Sequence, residues 1–279
     1  MTEISQNDFN FYQALLKEKS GLALTEAKTY LLSSRLTPVA TSLGYASLED
    51  FTKDMRSGKD PSLSAAAVEA MTTNETSFFR DTKPFETFKT LLPEIMQSRE
   101  IHKKIRIWSA ACSSGQEAYS IAMTLDEFFA DKPGWQYEIV GTDISESMLE
   151  QARRGEYSQF EIQRGLTIQA MVKYFDQSGT KWKIKDRLKS AVRFQYANLL
   201  DNIGSLGSFD FIFCRNVLIY FNSETKTQVL NEIGHHMRED SYLFLGACET
   251  AINLQVPLAP VSGQHGVLRR VAAQAVKTG

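Results

Sequence analysis

Apolar positions along this chain follow two different rhythms. Up to about residue 73 they recur at helical spacing. Phe9, Phe11, Tyr12, Leu15 and Leu16 form one stripe, and Gly21 is a natural stop for it. Thr25 and Lys28 open a second stripe through Tyr30, Leu31, Leu32, Leu36, Val39 and Leu43, closed by Gly44. Pro38 falls inside that stripe and predicts a break or kink there. Ser47-Leu48-Glu49-Asp50 reads as an N-cap with acidic first-turn residues, and an alanine-rich helix follows from Ser62 to Met71. No strand signal occurs in this region, which predicts an all-α unit over 1–73.

Beyond about residue 100, apolar strand-like runs alternate with helical stretches. Strands are expected at 105–111, 137–142, 192–196, 209–214 and 242–246. Helices are expected at 116–130, 145–154 and about 223–238. Such alternation specifies β-α-β units on a parallel sheet. Residues 157–190 break the rhythm. Tyr174 to Thr180 carries a turn signal and Lys181-Trp182-Lys183-Ile184-Lys185 alternates with period two, which predicts a small inserted antiparallel hairpin. Lys181, Lys183 and Lys185 would share one face, either steering an acidic partner or blunting a sheet edge.

One stretch carries candidate chemistry. Arg106 to Ala122 reads as a buried strand, a small-residue turn (Ala111-Cys112-Ser113-Ser114-Gly115) and an apolar helix. A second strand follows and ends on Asp143. This is the nucleotide half-site of a doubly wound sheet, in which an acid at the second strand end accepts ribose hydroxyls. Capping the next helix is the plainer role for Asp143, but Ser145 can already do that. The turn lacks the three glycines that bring a backbone up to a pyrophosphate, so a phosphate-free adenosine cofactor fits better than a dinucleotide. Glu117 sits in the first helical turn, where the helix dipole favours a carboxylate whatever its function.

Composition narrows the class without choosing an activity. The chain has 279 residues, 43% hydrophobic and 23% charged, with a net charge of −2. These are the proportions of an ordinary globular protein, with no overall field favouring nucleic acid or membrane surfaces. No apolar run approaches the roughly 20 residues of a bilayer span, and the first residues do not read as a signal peptide. Cys112, Cys214 and Cys248 are scattered, as suits a reducing cytoplasm. Neither they nor the four histidines have metal-ligand spacing, so no metal site is expected; surface or helix-end roles are expected for the histidines.

Four motifs become specific when taken together. Thr73-Asn74-Glu75-Thr76-Ser77-Phe78-Phe79-Arg80-Asp81 is followed by Trp108-Ser109-Ala110-Ala111-Cys112-Ser113-Ser114-Gly115-Gln116-Glu117. Gly141-Thr142-Asp143-Ile144 comes next, then Phe209 to Phe221, reading FDFIFCRNVLIYF. In this order they resemble the signatures of the chemotaxis receptor methyltransferases, the CheR family.

The resemblance implies a Rossmann-like class I methyltransferase domain over 74–279, with a small antiparallel β insertion at about 157–190, preceded by the all-α domain. It implies S-adenosylmethionine as cofactor, S-adenosylhomocysteine as product, and methyl transfer to glutamate carboxylates on cytoplasmic helical domains of chemoreceptors. It places Asn74, Thr76 and Arg80 against the cofactor from the inter-domain segment. Glu117 and Asp143 would hold its amine or ribose, Asn198 and Leu199 would flank adenine, and Arg215 and Asn216 would line the sulfonium.

Arg80, Arg215 and Tyr220 are the candidates for catalysis. Arg80 suits a bidentate carboxylate contact, with a surface ion pair to Asp81 or Glu86 as the alternative. For Tyr220 the alternative is plain packing after an apolar strand, and Phe78 and Phe79 also read as packing residues.

An ionised carboxylate is already a nucleophile above a pKa near 4.3, so alignment and desolvation are the expected tasks, and a Ser-His-Asp or paired-carboxylate constellation is not needed. A dehydrogenase is disfavoured by the missing G-x-G-x-x-G. The remaining alternatives are a cofactor-binding scaffold derived from the family and a methyltransferase for a non-receptor protein.

Two departures from the family bear on the partner. The second helix keeps only Lys28 and Arg35 as cations, and the Gln177-Ser178-Gly179-Thr180 loop is short, which predicts docking without a C-terminal pentapeptide tether. A cytoplasmic monomer is expected, without nucleic acid or membrane insertion.

Overall fold

The computed structural model describes residues 4–271. Those up to Thr73, together with Tyr220–Thr225, form one compact unit. Asn74–Ile219 and the residues from Lys226 onward form another.

The first unit is helical. Helices α1 (Gln6–Ser20), α2 (Thr29–Ser42), α3 (Leu48–Ser57) and α4 (Pro61–Met71) are each cut to length by local chemistry. Ser5 and Ser47 accept the backbone N–H groups of Asp8 and Asp50, each at 3.1 Å. Gly21 ends α1 at φ 75°, a left-handed conformation that glycine adopts without cost. Of the break or kink expected at Pro38, the break does not occur: α2 runs through it. Leu32, Leu36 and Ala40, all buried, form an i, i+4, i+8 stripe that holds the helix, while Pro38 and the residue four before it, Ser34, face solvent. Arg35 is committed to this unit: its guanidinium donates to the Met71 and Thr72 carbonyls at 2.9 and 2.8 Å, capping α4. Of the two cations expected to meet a partner here, only Lys28 is fully exposed.

The second unit begins with α5 (Lys83–Ser98), which the apolar pattern did not announce. There follow β1 (Lys104–Ala110), α6 (Gln116–Phe128), β2 (Gln136–Asp143) and α7 (Glu146–Arg154). The insertion holds β3 (Glu156–Ser158), α8 (Gln159–Gln163), α9 (Ile168–Tyr174), β4 (Phe175–Ser178) and β5 (Lys181–Ile184), and leads into α10 (Asp186–Lys189). The chain then forms β6 (Val192–Tyr196), β7 (Phe209–Cys214), α11 (Ser223–His235), β8 (Met237–Leu245), β9 (Leu258–Pro260) and β10 (Val267–Arg270).

The main sheet has the order β6-β2-β1-β7-β8-β10-β9. Its first five strands are parallel and its last two run antiparallel to their neighbours. The order reverses direction beside β1, which is where an open α/β sheet leaves a crevice at its carboxyl edge. Buried Phe85, Phe88 and Leu92 of α5 pack with Phe211, Phe213 and Phe244 of the sheet in one core. Phe88 meets Phe211 edge-on at 4.8 Å between ring centroids.

The insertion is larger than the hairpin the sequence predicts. Its three strands take the order β3-β5-β4, so the lysine-bearing β5 is the central strand and not an edge. Lys181 and Lys183 are exposed while Ile184 is buried, as alternation requires. Lys185 has left the strand, and its ammonium donates to the Val172 and Lys173 carbonyls. His236 takes a helix-end place, its backbone N–H donating to the Ile233 carbonyl at the end of α11, but away from the surface. It is buried against Trp108 and Phe209, and its Nδ1 lies 2.7 Å from the Gly207 carbonyl.

Candidate functional site

The carboxyl ends of β1, β2, β6 and β7 bring together Glu117, Asp143, Asn198, Leu199, Arg215 and Asn216. The turn after β1 is contorted. Ala111 and Ser113 lie at φ 56° and 50°, and Gly115 at 91°. Positive φ in non-glycine residues is strain that a functional site can retain when its surroundings enforce it. Here Thr142 accepts the Cys112 N–H at 2.9 Å, and Asp143 accepts the Ser113 N–H at 2.7 Å. Gly115 serves packing as well as turning: a Cβ there would fall 2.9 Å from Ala152 and 3.1 Å from Phe194.

Asp143 is buried at 6% exposure. Its other oxygen accepts the Ser145 N–H at 2.9 Å, and Ser145 caps α7 by accepting the Met148 N–H. The cap and the acid are therefore different residues, as the sequence suggests.

Arg215 follows β7 and is the hub of the site. Its side chain is 1% exposed. Nη1 donates to Glu117 at 3.0 Å, while Nη2 donates to the Arg80 carbonyl at 2.9 Å and to Asp81 at 2.7 Å. One guanidinium thus ties the first turn of α6 to the Arg80–Asp81 turn, using the fork geometry that distinguishes arginine from lysine. Its Nε is buried with no hydrogen-bond partner among the described residues. Glu117 also accepts the Ser109 hydroxyl at 2.8 Å. Burial pushes the Glu117 carboxyl above its ordinary range, Arg215 and Ser109 oppose that, and nearby Glu249 adds to it.

Arg80 makes neither of its alternative ion pairs; Nη1 donates to the Glu75 carbonyl at 2.8 Å. Asn74 presents its carbonyl to the Ser113 hydroxyl at 2.8 Å, which ties the segment to the β1 turn, and Thr76 is half-buried. Phe78 is fully buried edge-on to Tyr157 and Phe175, and Phe79 packs on Phe85. At the end of β6, Asn198 caps its own turn by accepting the Leu200 N–H, and Leu199 is buried at 8% exposure. Asn216 sits at φ 59° beside Arg215. Tyr220 belongs to the helical unit, where its carbonyl accepts the Ala23 N–H at 2.8 Å and the next residue, Phe221, bridges to Leu22.

Two residues at this edge escaped the sequence reading. Tyr157, fully buried, donates to the Ser114 carbonyl at 2.8 Å and so braces the β1 turn from the insertion. Glu249, in the loop after β8, is buried at 7% exposure and accepts the Asn216 N–H at 2.7 Å. Neither pairing leaves a local motif to read. Among the described residues no cluster of histidine, cysteine or acid could hold a metal.

Comparison with known proteins decides the family. The model for the CheR methyltransferase S-adenosylmethionine-binding domain matches residues 74–267, and that for the CheR all-alpha domain matches 7–72. The chain belongs to the CheR methyltransferase family. A chemotaxis protein methyltransferase of Vibrio parahaemolyticus is 42% identical over 272 residues, covering 96% of this chain and 98% of the relative. Chemotaxis protein methyltransferase 1 of Pseudomonas aeruginosa is 42% identical over 268 residues, covering 94% and 97%. A chemotaxis protein methyltransferase of Borreliella burgdorferi is 33% identical over 263 residues, covering 88% and 93%. The protein is an S-adenosylmethionine-dependent methyltransferase.

The CheR site fits that cofactor on its own chemistry. Carboxylates from Glu117 and Asp143 are buried or nearly so at this edge, Arg215 pairs with the first, and the cofactor's sulfonium and amine are both cationic. The orphaned Arg215 Nε is a donor awaiting an acceptor.

Proposed function

We propose that this CheR protein is a protein-glutamate O-methyltransferase that modifies carboxylates on the cytoplasmic helical domains of chemoreceptors, acting in the cytoplasm as a monomer. The observation that carries the reading is end-to-end similarity: both domains match in order, and relatives named chemotaxis protein methyltransferases cover nearly the whole chain.

When bound, S-adenosylmethionine supplies an activated methyl group on a cationic sulfur. The chain's residues then have binding and alignment to perform. Asp143, a buried acid at the end of β2, accepts the ribose hydroxyls. Glu117 faces the cofactor's ammonium, and Asn198 and Leu199 border the adenine. Asn74, Thr76 and Arg80 close over the cofactor from the segment after the helical unit, and Asn216 lines the sulfonium side. Arg215 acts chiefly by holding the Arg80–Asp81 turn, since both its terminal nitrogens are engaged. Arg80 orients the incoming glutamate. That carboxylate is ionised at neutral pH, so no general base is required and the rate enhancement comes from in-line placement and loss of water. The short Gly179-Thr180 turn between β4 and β5 supports docking without a pentapeptide tether.

The test is transfer of labelled methyl to purified receptor cytoplasmic fragments, with and without their last five residues. Label that is released by mild alkali, as esters are, supports the reading. Alkali-stable label, or none, overturns the glutamate assignment, and a large loss on truncation overturns tether-free docking.

A further inference from the structure

Glu249 is a buried carboxylate in the loop after β8, and it makes bonds out of proportion to its position. One oxygen accepts two backbone N–H groups, from Asn216 and Gly246, each at 2.7 Å. The other accepts the Ile219 N–H at 3.3 Å. It therefore hooks the loop after β8 onto the turn after β7. We propose that Glu249 is a positioning residue for the cofactor site, holding the Arg215–Asn216 turn in the conformation that sends Arg215 to Glu117 and the Arg80–Asp81 turn.

Three features lead there. Asn216 lies at φ 59°, a conformation uncommon for any residue but glycine, although asparagine tolerates it best among the rest. Something outside the turn must enforce it. The carboxylate binds the N–H of Asn216 itself, and charge-assisted bonds of this kind are roughly twice as strong as neutral ones. Gly246 completes the lock. A Cβ there would fall 2.7 Å from Glu249 Oε2, 2.8 Å from Asn216 Nδ2 and 3.0 Å from the Asn216 nitrogen. Glycine is needed so that the carboxylate and Asn216 can close over the end of β8. Since Arg215 is adjacent to Asn216, rotation of this turn would withdraw the guanidinium from all three of its acceptors. Glu249 so acts through backbone and through Arg215, without touching cofactor.

This inference rests on the assignment of the edge to S-adenosylmethionine, and the experiment separates the two. S-adenosylhomocysteine affinity is measured by calorimetry for Glu249→Ala, Glu249→Gln, Gly246→Ala and Asp143→Ala. Glutamine keeps an oxygen for Asn216 and Gly246, so Glu249→Gln should stay within about fivefold of the parent, while Glu249→Ala loses about tenfold or more, the equivalent of one or two buried bonds. Gly246→Ala wedges the same hook apart with the carboxylate intact and should also lose about tenfold. If Glu249→Ala does not fold, Gly246→Ala with Glu249→Gln decides the matter alone.

The decisive measurement is the cycle with Asn216→Gly. Glycine takes the left-handed conformation freely, so in that background Glu249→Ala should cost less than about threefold. A role in stability alone would lower the melting temperature equally in both backgrounds and leave affinity unchanged. Equal affinity losses in both backgrounds, or none in either, overturn the proposal. If Asp143→Ala binds like the parent, the cofactor assignment itself falls, whatever the hook does.

Discussion

The two ends of the parallel strands handle buried charge in opposite ways. At the amino end, Asp210 of β7 has no exposed side-chain surface, yet it is fully answered. It accepts Arg99 Nε at 2.7 Å and the Arg106 N–H at 2.7 Å, with Arg238 at 3.4 Å. Arg99 continues to Asp240 at 2.7 Å, and Arg106 bridges Glu138. At the carboxyl end, Arg215 pairs with Glu117 and Asp81, buried Asp143 and Glu249 are met by backbone N–H groups, and Arg215 Nε has no hydrogen-bond partner among the described residues. Both ends take charge out of water. Only the amino end matches it, which is what stability requires of a buried ion. The carboxyl end keeps an excess of acceptors and a cluster of strained residues, Ala111, Ser113 and Asn216, which is what a cationic ligand can use.

Breaking the matched end should have the largest effect and a purely structural one. Asp210→Ala leaves Arg99 with Asp240 alone and strips the Arg106 N–H of its acceptor, and should destabilise the sheet unit by about 3 kcal/mol. Denaturant unfolding measures this. Affinity for S-adenosylhomocysteine, measured well below the unfolding transition, should hold within about twofold because the site lies at the far end of the strands. A comparable loss of affinity would mean that the two ends are not independent. Asp143→Ala should show the reverse balance: roughly 1.5–3 kcal/mol lost in ligand affinity, about 10- to 150-fold in Kd. Calorimetry showing parent-like binding would sink the assignment of Asp143 to the ribose.

The asymmetry also explains what could be read from the sequence. β1, β2 and β7 were legible as largely buried apolar runs, β6 by its alternation of apolar and polar residues, and Asp143 because it ends β2. The motifs around Asn74, Glu117 and Arg215 were legible as a family pattern. Their wiring was not. Nothing in the spacing says that Arg215 takes Asp81 from Arg80, or that Glu249 reaches back 33 residues to Asn216, since those pairs exist only once β7 and β8 lie side by side. Helix α5 was missed because Pro84 and Pro93 interrupt its pattern, although the first sits at the helix start, where proline is tolerated. β9 and β10 are three and four residues long, too short to carry a period. Pro38 shows the opposite case: a local rule predicted a break or kink, and the buried stripe of α2 carries the helix through without a break.

A subtler contrast lies in pH. Burial raises the Glu117 carboxyl, whereas hydrogen bonds from Arg99 and Ser98 hold Asp240 below its ordinary range against the upward push of its own burial. The signs differ accordingly. Asp240 contributes stability above its unfolded pKa and loses it as pH falls through the lower folded value. Glu117 contributes stability below its unfolded pKa and loses it as pH rises through the higher folded value. Affinity for the cationic cofactor should therefore weaken on acidification from pH 7 toward pH 5, where Glu117 takes up a proton more readily than an ordinary carboxylate. Glu117→Gln should bind less well at pH 7 and show a flatter profile. Parallel profiles for the two proteins would remove Glu117 from the ligand's surroundings.

The smallest effect concerns encounter with substrate, and it tests whether exposed charge matters at all beside the buried kind. The insertion was expected to present Lys181, Lys183 and Lys185 on one face, either to steer an acidic helix or to guard a sheet edge. β5 is the central strand of its sheet, so it has no free edge to guard. Lys185 is tied to the Val172 and Lys173 carbonyls, and Lys181 lies 4.0 Å from Glu156. Lys183 is exposed and makes no ion pair among the described residues, so it is the cleanest probe of steering. Lys183→Glu should slow association with an acidic receptor fragment only about two- to threefold at low salt, because one surface charge contributes little to a long-range field. The defect should vanish near physiological ionic strength, where the Debye length is about 8 Å, while dissociation and turnover stay unchanged. A defect that persists in high salt would mean direct contact at Lys183 instead of steering. No defect at low salt would leave Lys28, the exposed cation before α2, as the next residue to reverse.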